Sequence, residues 1–268
     1  MTPARIGSAA VAAAMVPLVL AACAGQAQQD SYRAPRTAYG TPDLNGIWQA
    51  NNTANWDVEP HAARMGPVVA LGAAFSVPPG VGVVEGGEIP YLPAALEKRN
   101  ANRADWVKLD PEVKCYMPGI PRATYMPYPF QIVQSADNIL FTYEYASASR
   151  MVRFNTQEKS PAPAWMGWSV GRWDGETLVI EVTDHMAETW FDRSGNHHSE
   201  ALKVTERYTA IDPNTLQYEA TIEDPQTFSK PWTISMPLYR RREPNMQLME
   251  YKCVEFTEEL LYGHLRKK

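Results

Sequence analysis

From Phe130 to Phe256 the chain is cut into short runs that alternate apolar and polar residues, each stopped by turn-forming residues. A period of two sends successive side chains to opposite faces of an extended backbone, so such runs read as half-buried strands. The runs are Phe130 to Gln134, Asn138 to Tyr145, Met151 to Phe154, Trp168 to Trp173, Glu176 to Thr183, Glu200 to Thr209, Thr215 to Glu223, Trp232 to Leu238 and Met246 to Phe256. Leu44 to Trp48 resembles an earlier strand, and Met151 to Phe154 should return antiparallel to the run before it. Asp174-Gly175 favours a type I′ hairpin turn, and in Asp212-Pro213-Asn214 proline presets φ while asparagine tolerates the left-handed region. Eight or nine short strands at this spacing predict a mainly β fold, an antiparallel barrel or a curved sandwich.

The remainder qualifies that outline without changing it. The 22 prolines suit short strands and turns more than long helices. Tyr91 to Lys108 carries the one helical pattern, with Leu92, Leu96, Arg99 and Arg103 among good helix formers. Residues 58–93 read as an irregular excursion rich in Pro and Gly. Lys114 to Pro129 holds too many prolines to donate a regular ladder, so it should be an ordered loop with aromatic side chains. A single β-barrel-like domain over residues 43–268, calycin- or lipocalin-like, with one helix and Pro-rich loops, is therefore expected. Glu258 to Lys268 reads as a charged tail.

The first residues carry a destination. Arg5 and the apolar run Ala9 to Leu20 form a signal sequence too short to span a bilayer as a permanent helix. Leu20-Ala21-Ala22-Cys23 reads as the cleavage site of a bacterial lipoprotein, with residues 1–22 removed and Cys23 lipidated. Residues 23–42 would be a flexible tether. Ala24 is no inner-membrane retention signal, so a periplasmic protein hung from the outer membrane is expected. Losing Arg5 takes the formal charge from −5 to −6, which argues against nucleic acid as a partner. Cys115 and Cys253 remain, either as a disulfide in an oxidising compartment or as two buried thiols.

Parity marks out the residues that could carry chemistry. In Glu200 to Tyr208 the even positions are the apolar set, so Glu206, and with it Glu200 and His198, should face the interior. A buried carboxylate needs a partner or a purpose. It is a structural ion pair with a buried arginine, or an acid/base group. The histidines 185, 197 and 198 with Asp184 and Asp192 lack zinc spacing, so no metal is expected. Gly167-Trp168-Ser169-Val170-Gly171 matches a nucleophile elbow in residues only, because a strand rather than a helix follows. Tyr143, Glu144, Tyr145, Arg150 and Arg153 form a second constellation, in which arginine could hold a carboxylate while tyrosine exchanges a proton. A four-residue loop at Ala146 to Ser149 pairs Tyr145 with Arg150, and one more loop residue pairs Tyr143 with Arg153. Trp190, Tyr125 and Tyr128 are candidate aromatic walls.

Several motifs resemble those of a large family of exported bacterial proteins without assigned function: Pro118 to Arg122, Pro127 to Gln134, Gly167 to Ile180, Thr189 to Leu202, Glu223-Asp224-Pro225 and Lys230 to Thr233. The resemblance covers residues 40–256. The chain is also similar to bacterial decarboxylases of phenylcoumaran-type lignin dimers, which use no cofactor. That resemblance implies a lyase acting on a lignin-derived aromatic carboxylate, with Tyr143 and Arg153 as its catalytic pair. His198 and Glu206 would assist, and Arg150, Tyr145, Glu144, Glu200, Trp190, Tyr125 and Tyr128 would line the substrate site. The other expectation is a periplasmic lipoprotein that binds an apolar or aromatic small molecule without turning it over.

Overall fold

The computed structural model describes residues 1–2, 32–66 and 68–265. The cleavage site, Cys23 and the tether up to Ser31 lie outside the described residues. The chain divides into a unit Met1–Ser31 and a unit Tyr32–Lys268, and the barrel belongs wholly to the second.

Nine strands close into one barrel: β1 Gly46–Ala50, β2 Phe130–Gln134, β3 Asn138–Tyr143, β4 Ser149–Phe154, β5 Trp168–Asp174, β6 Thr177–Thr183, β7 Lys203–Asp212, β8 Thr215–Glu223 and β9 Trp232–Arg240. Each pairs with its sequence neighbour, and β1 closes on β9. An odd number of strands cannot close with every pair antiparallel, and the exception is β4 with β5, which run parallel. Residues 155–167 make the crossover that a parallel pair requires. The other pairs are antiparallel.

The hairpin at β5 and β6 is displaced by one residue from its expected turn. Asp174 pairs with Thr177, so Gly175 and Glu176 are the central residues. Gly175 has φ +60° and Glu176 does not share a positive φ, which suits a type II′ turn led by glycine. This register keeps Leu178, Ile180 and Val182 in the core.

Met246 to Phe256 is not a strand. The barrel closes between β1 and β9, and the part of the β9 edge beyond β1 is met by an earlier segment of the chain. Met246 to Phe256 runs as an irregular strap, joined to the rest by a Cys115–Cys253 disulfide with Cα atoms 5.7 Å apart, and leads into a short helix, Thr257–Tyr262.

The long connection from β1 to β2 is laid against the barrel. β1 covers only Leu238–Arg240 of β9, and the exposed edge of β9 that remains is met by Val83 to Glu85. Ser235 N–H donates to Val83 O at 2.8 Å, and Glu85 N–H donates to Thr233 O at 2.9 Å. An edge so covered offers no template for another chain. The expected helix appears as α1 Pro93–Ala104, opened by proline, and α2 Trp106–Leu109; Asp105 between them leaves helical geometry at φ −134°. α1 buries no side chain fully and is held through its backbone at Gly195, where a Cβ would come within 2.6 Å of Arg103 N. A third short helix, α3 Arg122–Tyr125, precedes β2.

Candidate functional site

Inside the barrel, Glu206 has no exposed surface and its carboxylate is fully engaged. Arg150 donates to it through Nη1 at 2.5 Å and Nη2 at 3.1 Å, and the hydroxyls of Tyr208 and Tyr218 each donate at 2.9 Å. Arg150 also donates Nε–H to the Tyr143 hydroxyl at 3.0 Å and lies over the Phe141 ring at 4.6 Å. Burial pushes the Tyr143 phenol up to about 12, so it is protonated at neutral pH. Every member of the group is buried among aromatic and aliphatic side chains, and each polar atom already has its partner. A buried network whose polar groups are all paired with protein stabilises a barrel.

The register of β3 and β4 corrects the expected catalytic pair. Phe141 lies opposite Arg150 and Asn138 opposite Arg153. The turn over Tyr145 to Ser147 is a 3-10 element, so neither loop length considered from sequence applies. Tyr143 faces the interior, whereas Arg153 is on the outer surface with its guanidinium 3.9 Å above the Trp168 ring. The arginine that meets Tyr143 is Arg150.

The inward row of His198, Glu200 and Glu206 is broken as well. Strand β7 begins only at Lys203, so strand parity does not extend back to the turn before it. Glu200 is exposed. His198 is buried and lies in a separate cluster, with Nδ1 2.7 Å from Ser199 O and Nε2 2.6 Å from Thr189 Oγ1. A carbonyl can only accept, so Nδ1 carries the proton and Nε2 accepts from the threonine hydroxyl. Burial pulls this imidazole down to about 4 and that of His185 down to about 3, so both are neutral near pH 7. Neither ring nitrogen of His185 makes a hydrogen bond. Among the described residues no group of three His, Cys, Asp or Glu side chains could hold a metal ion.

The remaining expected residues separate into fastenings and a cleft. Tyr125 is buried and donates to Phe191 O at 2.8 Å, and Trp190 packs with Trp106 and Val107. Glu144 accepts from Met249 N–H at 2.8 Å, tying the strap to β3. Tyr128 and Tyr145 stand together with Tyr251, their ring centroids 4.9 to 5.7 Å apart. Tyr128 and Tyr251 line a cleft of about 330 Å³ that also holds Glu112, Arg193, Val254 and Thr257. This volume is within the range of small-molecule sites.

Residues that the sequence reading did not single out form the floor of this cleft. Arg193 donates to both oxygens of Glu112 at 2.8 Å, and its guanidinium lies over Trp56 at 4.7 Å and Trp106 at 5.1 Å. Arg122 donates to Glu112 at 2.7 Å and to both oxygens of Asp110 at 2.8 and 2.9 Å. Charges therefore alternate along Asp110, Arg122, Glu112 and Arg193. Burial alone would raise Glu112, but Arg193 and Arg122 outweigh it and hold the carboxyl down to about 2. Burial raises Tyr128, Tyr145 and Tyr251, so the phenols are protonated at neutral pH. Tyr145 donates its hydroxyl to Glu112 O at 3.2 Å. The cleft is thus bordered by aromatic rings and protonated phenols around a fixed ion pair whose carboxylate stays charged at neutral pH.

No family model matches this chain. No curated protein matches it either.

Proposed function

We propose that this protein binds a small planar aromatic compound carrying a phenol or carboxylate, in the cleft between Tyr128, Tyr251 and the Glu112–Arg193 pair. The observation that carries this reading is the coincidence of a ligand-sized opening with two protonated phenols and an aromatic-backed arginine. Aromatic rings pack on tyrosine faces in offset or edge-on arrangements worth about 0.5–1.5 kcal/mol each. An anionic substituent would find donors in the phenol hydroxyls and a positive field at Arg193. With the export expected from Leu20 to Cys23, the protein would be an outer-membrane lipoprotein sampling periplasmic aromatics.

The second reading is the lyase that the family resemblance implies, acting without a cofactor on a lignin-derived aromatic carboxylate such as a phenylcoumaran. It is favoured by two phenols and an arginine meeting in one cleft, since together they could clamp a carboxylate and return a proton. It ranks second because opening such a ring begins with removal of a phenolic proton. Glu112, held at about 2, is too weak a base for that at neutral pH. Titrating a panel of phenolic carboxylates into the protein by calorimetry, while following CO2 release and stilbene absorbance, separates the two. Saturable heat without CO2 supports binding, CO2 with stilbene supports the lyase, and neither signal with any member removes both.

A further inference from the structure

One wall of the cleft is supplied by the strap that follows the last barrel strand. Tyr251, Lys252, Cys253 and Val254 all come from the strap at 246–256, and Thr257 follows directly. The opposite side, Glu112, Val113, Tyr128 and Arg193, rests on the buried Asp110–Arg122–Glu112 network and on Trp56 and Trp106. The strap has no such foundation. Most of its residues are exposed, with Met249 at 66% and Val254 at 58%. Its backbone reaches the body through Met249 N–H to Glu144 and Phe256 N–H to Val113 O, a short list for a segment without secondary structure. Between these two contacts stands the Cys115–Cys253 disulfide, two residues from Tyr251.

We infer that the disulfide is a latch for the ligand cleft: it holds Tyr251 against Tyr128 and Tyr145, and its reduction releases the strap and opens the site. The inference deepens the binding reading and rests on it for the ligand. The step is a two-electron exchange with a dithiol. One thiolate of the reductant attacks a cysteine sulfur, and its second thiol resolves the mixed disulfide. Cys115 and Cys253 become thiols and the reductant a cyclic disulfide. Once the bond is broken, Tyr251 is held by its contacts with Tyr128 and Tyr145, ring centroids 5.3 and 4.9 Å away, and by the two backbone anchors at Met249 and Phe256. The barrel does not depend on the bond, because its closure is a hydrogen-bonded ladder between β1 and β9.

Amide hydrogen exchange on the whole protein, before and after treatment with dithiothreitol, tests the latch without any ligand. The Cys115→Ser/Cys253→Ser double variant controls for effects of the reductant. Exchange in 246–256 should rise at least tenfold in both, while β6, β7 and β8 stay protected. A strap that remains protected overturns the inference, as does exchange that spreads equally into those strands, which would make the bond a staple of the whole fold. With 4-hydroxycinnamate as the probe, the reduced protein should bind at least tenfold more weakly than the oxidised one. Equal affinity in the two states, with the strap released, also overturns it. If the oxidised protein binds no phenolic carboxylate, the binding reading fails, and the exchange data still decide whether the strap is latched.

Discussion

Among the described residues, the Arg150–Glu206 and Arg193–Glu112 pairs both set arginine against carboxylate beside tyrosines, one in the core and one at a cleft. Around Arg150 and Glu206 the phenols of Tyr143, Tyr208 and Tyr218 point at the ion pair and complete its hydrogen bonding in the core. Around Arg193 and Glu112 the phenols of Tyr128 and Tyr251 line an opening and leave their faces to it. The residue types are nearly the same. What separates them is burial: the first group is enclosed in the core, and the second borders an opening. A buried charge pair with tyrosines is therefore not by itself a site, because burying it already requires the partners a site would offer to a ligand.

The comparison can be broken most forcefully inside the barrel. Arg150→Ala leaves the Glu206 carboxylate buried without its counterion and should cost about 3–5 kcal/mol. Urea unfolding measures this, and a loss below about 1 kcal/mol would mean that the interior is wetter than described. Tyr251→Ala should do the reverse. It removes a half-buried ring from an exposed strap, so stability should change by about 1 kcal/mol or less, while phenolic-carboxylate affinity drops about tenfold, a difference of about 1.4 kcal/mol. The pH dependence sharpens the contrast between the two carboxyl environments and the buried imidazoles. His185, His197 and His198 are held below their ordinary range by burial, to about 3, 4 and 4. Their unfolded forms bind more protons, so their contribution to stability is full above about pH 6.5 and is lost as pH falls toward 4 and 3. Asp192, raised to about 7 by burial and by Asp57, acts in the opposite sense and loses stability as pH rises from about 4 through 7. His185→Phe should flatten the acid-side slope by up to about 1.4 kcal/mol per pH unit, and an unchanged slope would show that the ring is not buried neutral. The smallest effect is expected from Arg153→Ala. An arginine stacked on a surface tryptophan is worth about 0.5–1 kcal/mol, and binding should not change. A large loss of activity in this variant would restore Arg153 to the site.

The barrel was legible because alternation survives in nearly every strand, and β7 shows it plainly, with Val204, Glu206, Tyr208 and Ala210 buried between partly exposed neighbours. The same parity placed Glu206 inside. It failed at Glu200 because the backbone there is a turn, where a period of two has no meaning. The pairing of Tyr143 was missed by register, since the 3-10 turn at Tyr145 to Ser147 starts earlier than a loop at Ala146 to Ser149, and the ladder ends at Thr142 opposite Ser149. The parallel β4–β5 pair was hidden because parallel and antiparallel strands share the same alternation, and only closure with nine strands demands it. The cleft was the least legible part. Glu112, Arg193 and Tyr251 come from three distant segments brought together by the disulfide and the long β1–β2 connection, and no local spacing encodes that meeting. Arg122 nevertheless closes one motif, Pro118 to Arg122, and Arg193 lies within another, Thr189 to Leu202, and both could have been weighed as partners for Asp110 and Glu112.

The ligand proposed for this protein would enter at the Tyr128–Tyr251 cleft and not inside the barrel. Backbone amide shifts of isotope-labelled protein during titration with 4-hydroxycinnamate test it directly. Saturable shifts at Val113, Tyr128, Arg193 and Tyr251, with the amides around Arg150 and Glu206 unmoved, are the predicted result. Shifts centred on Arg150, Tyr143 and Glu206 would contradict it.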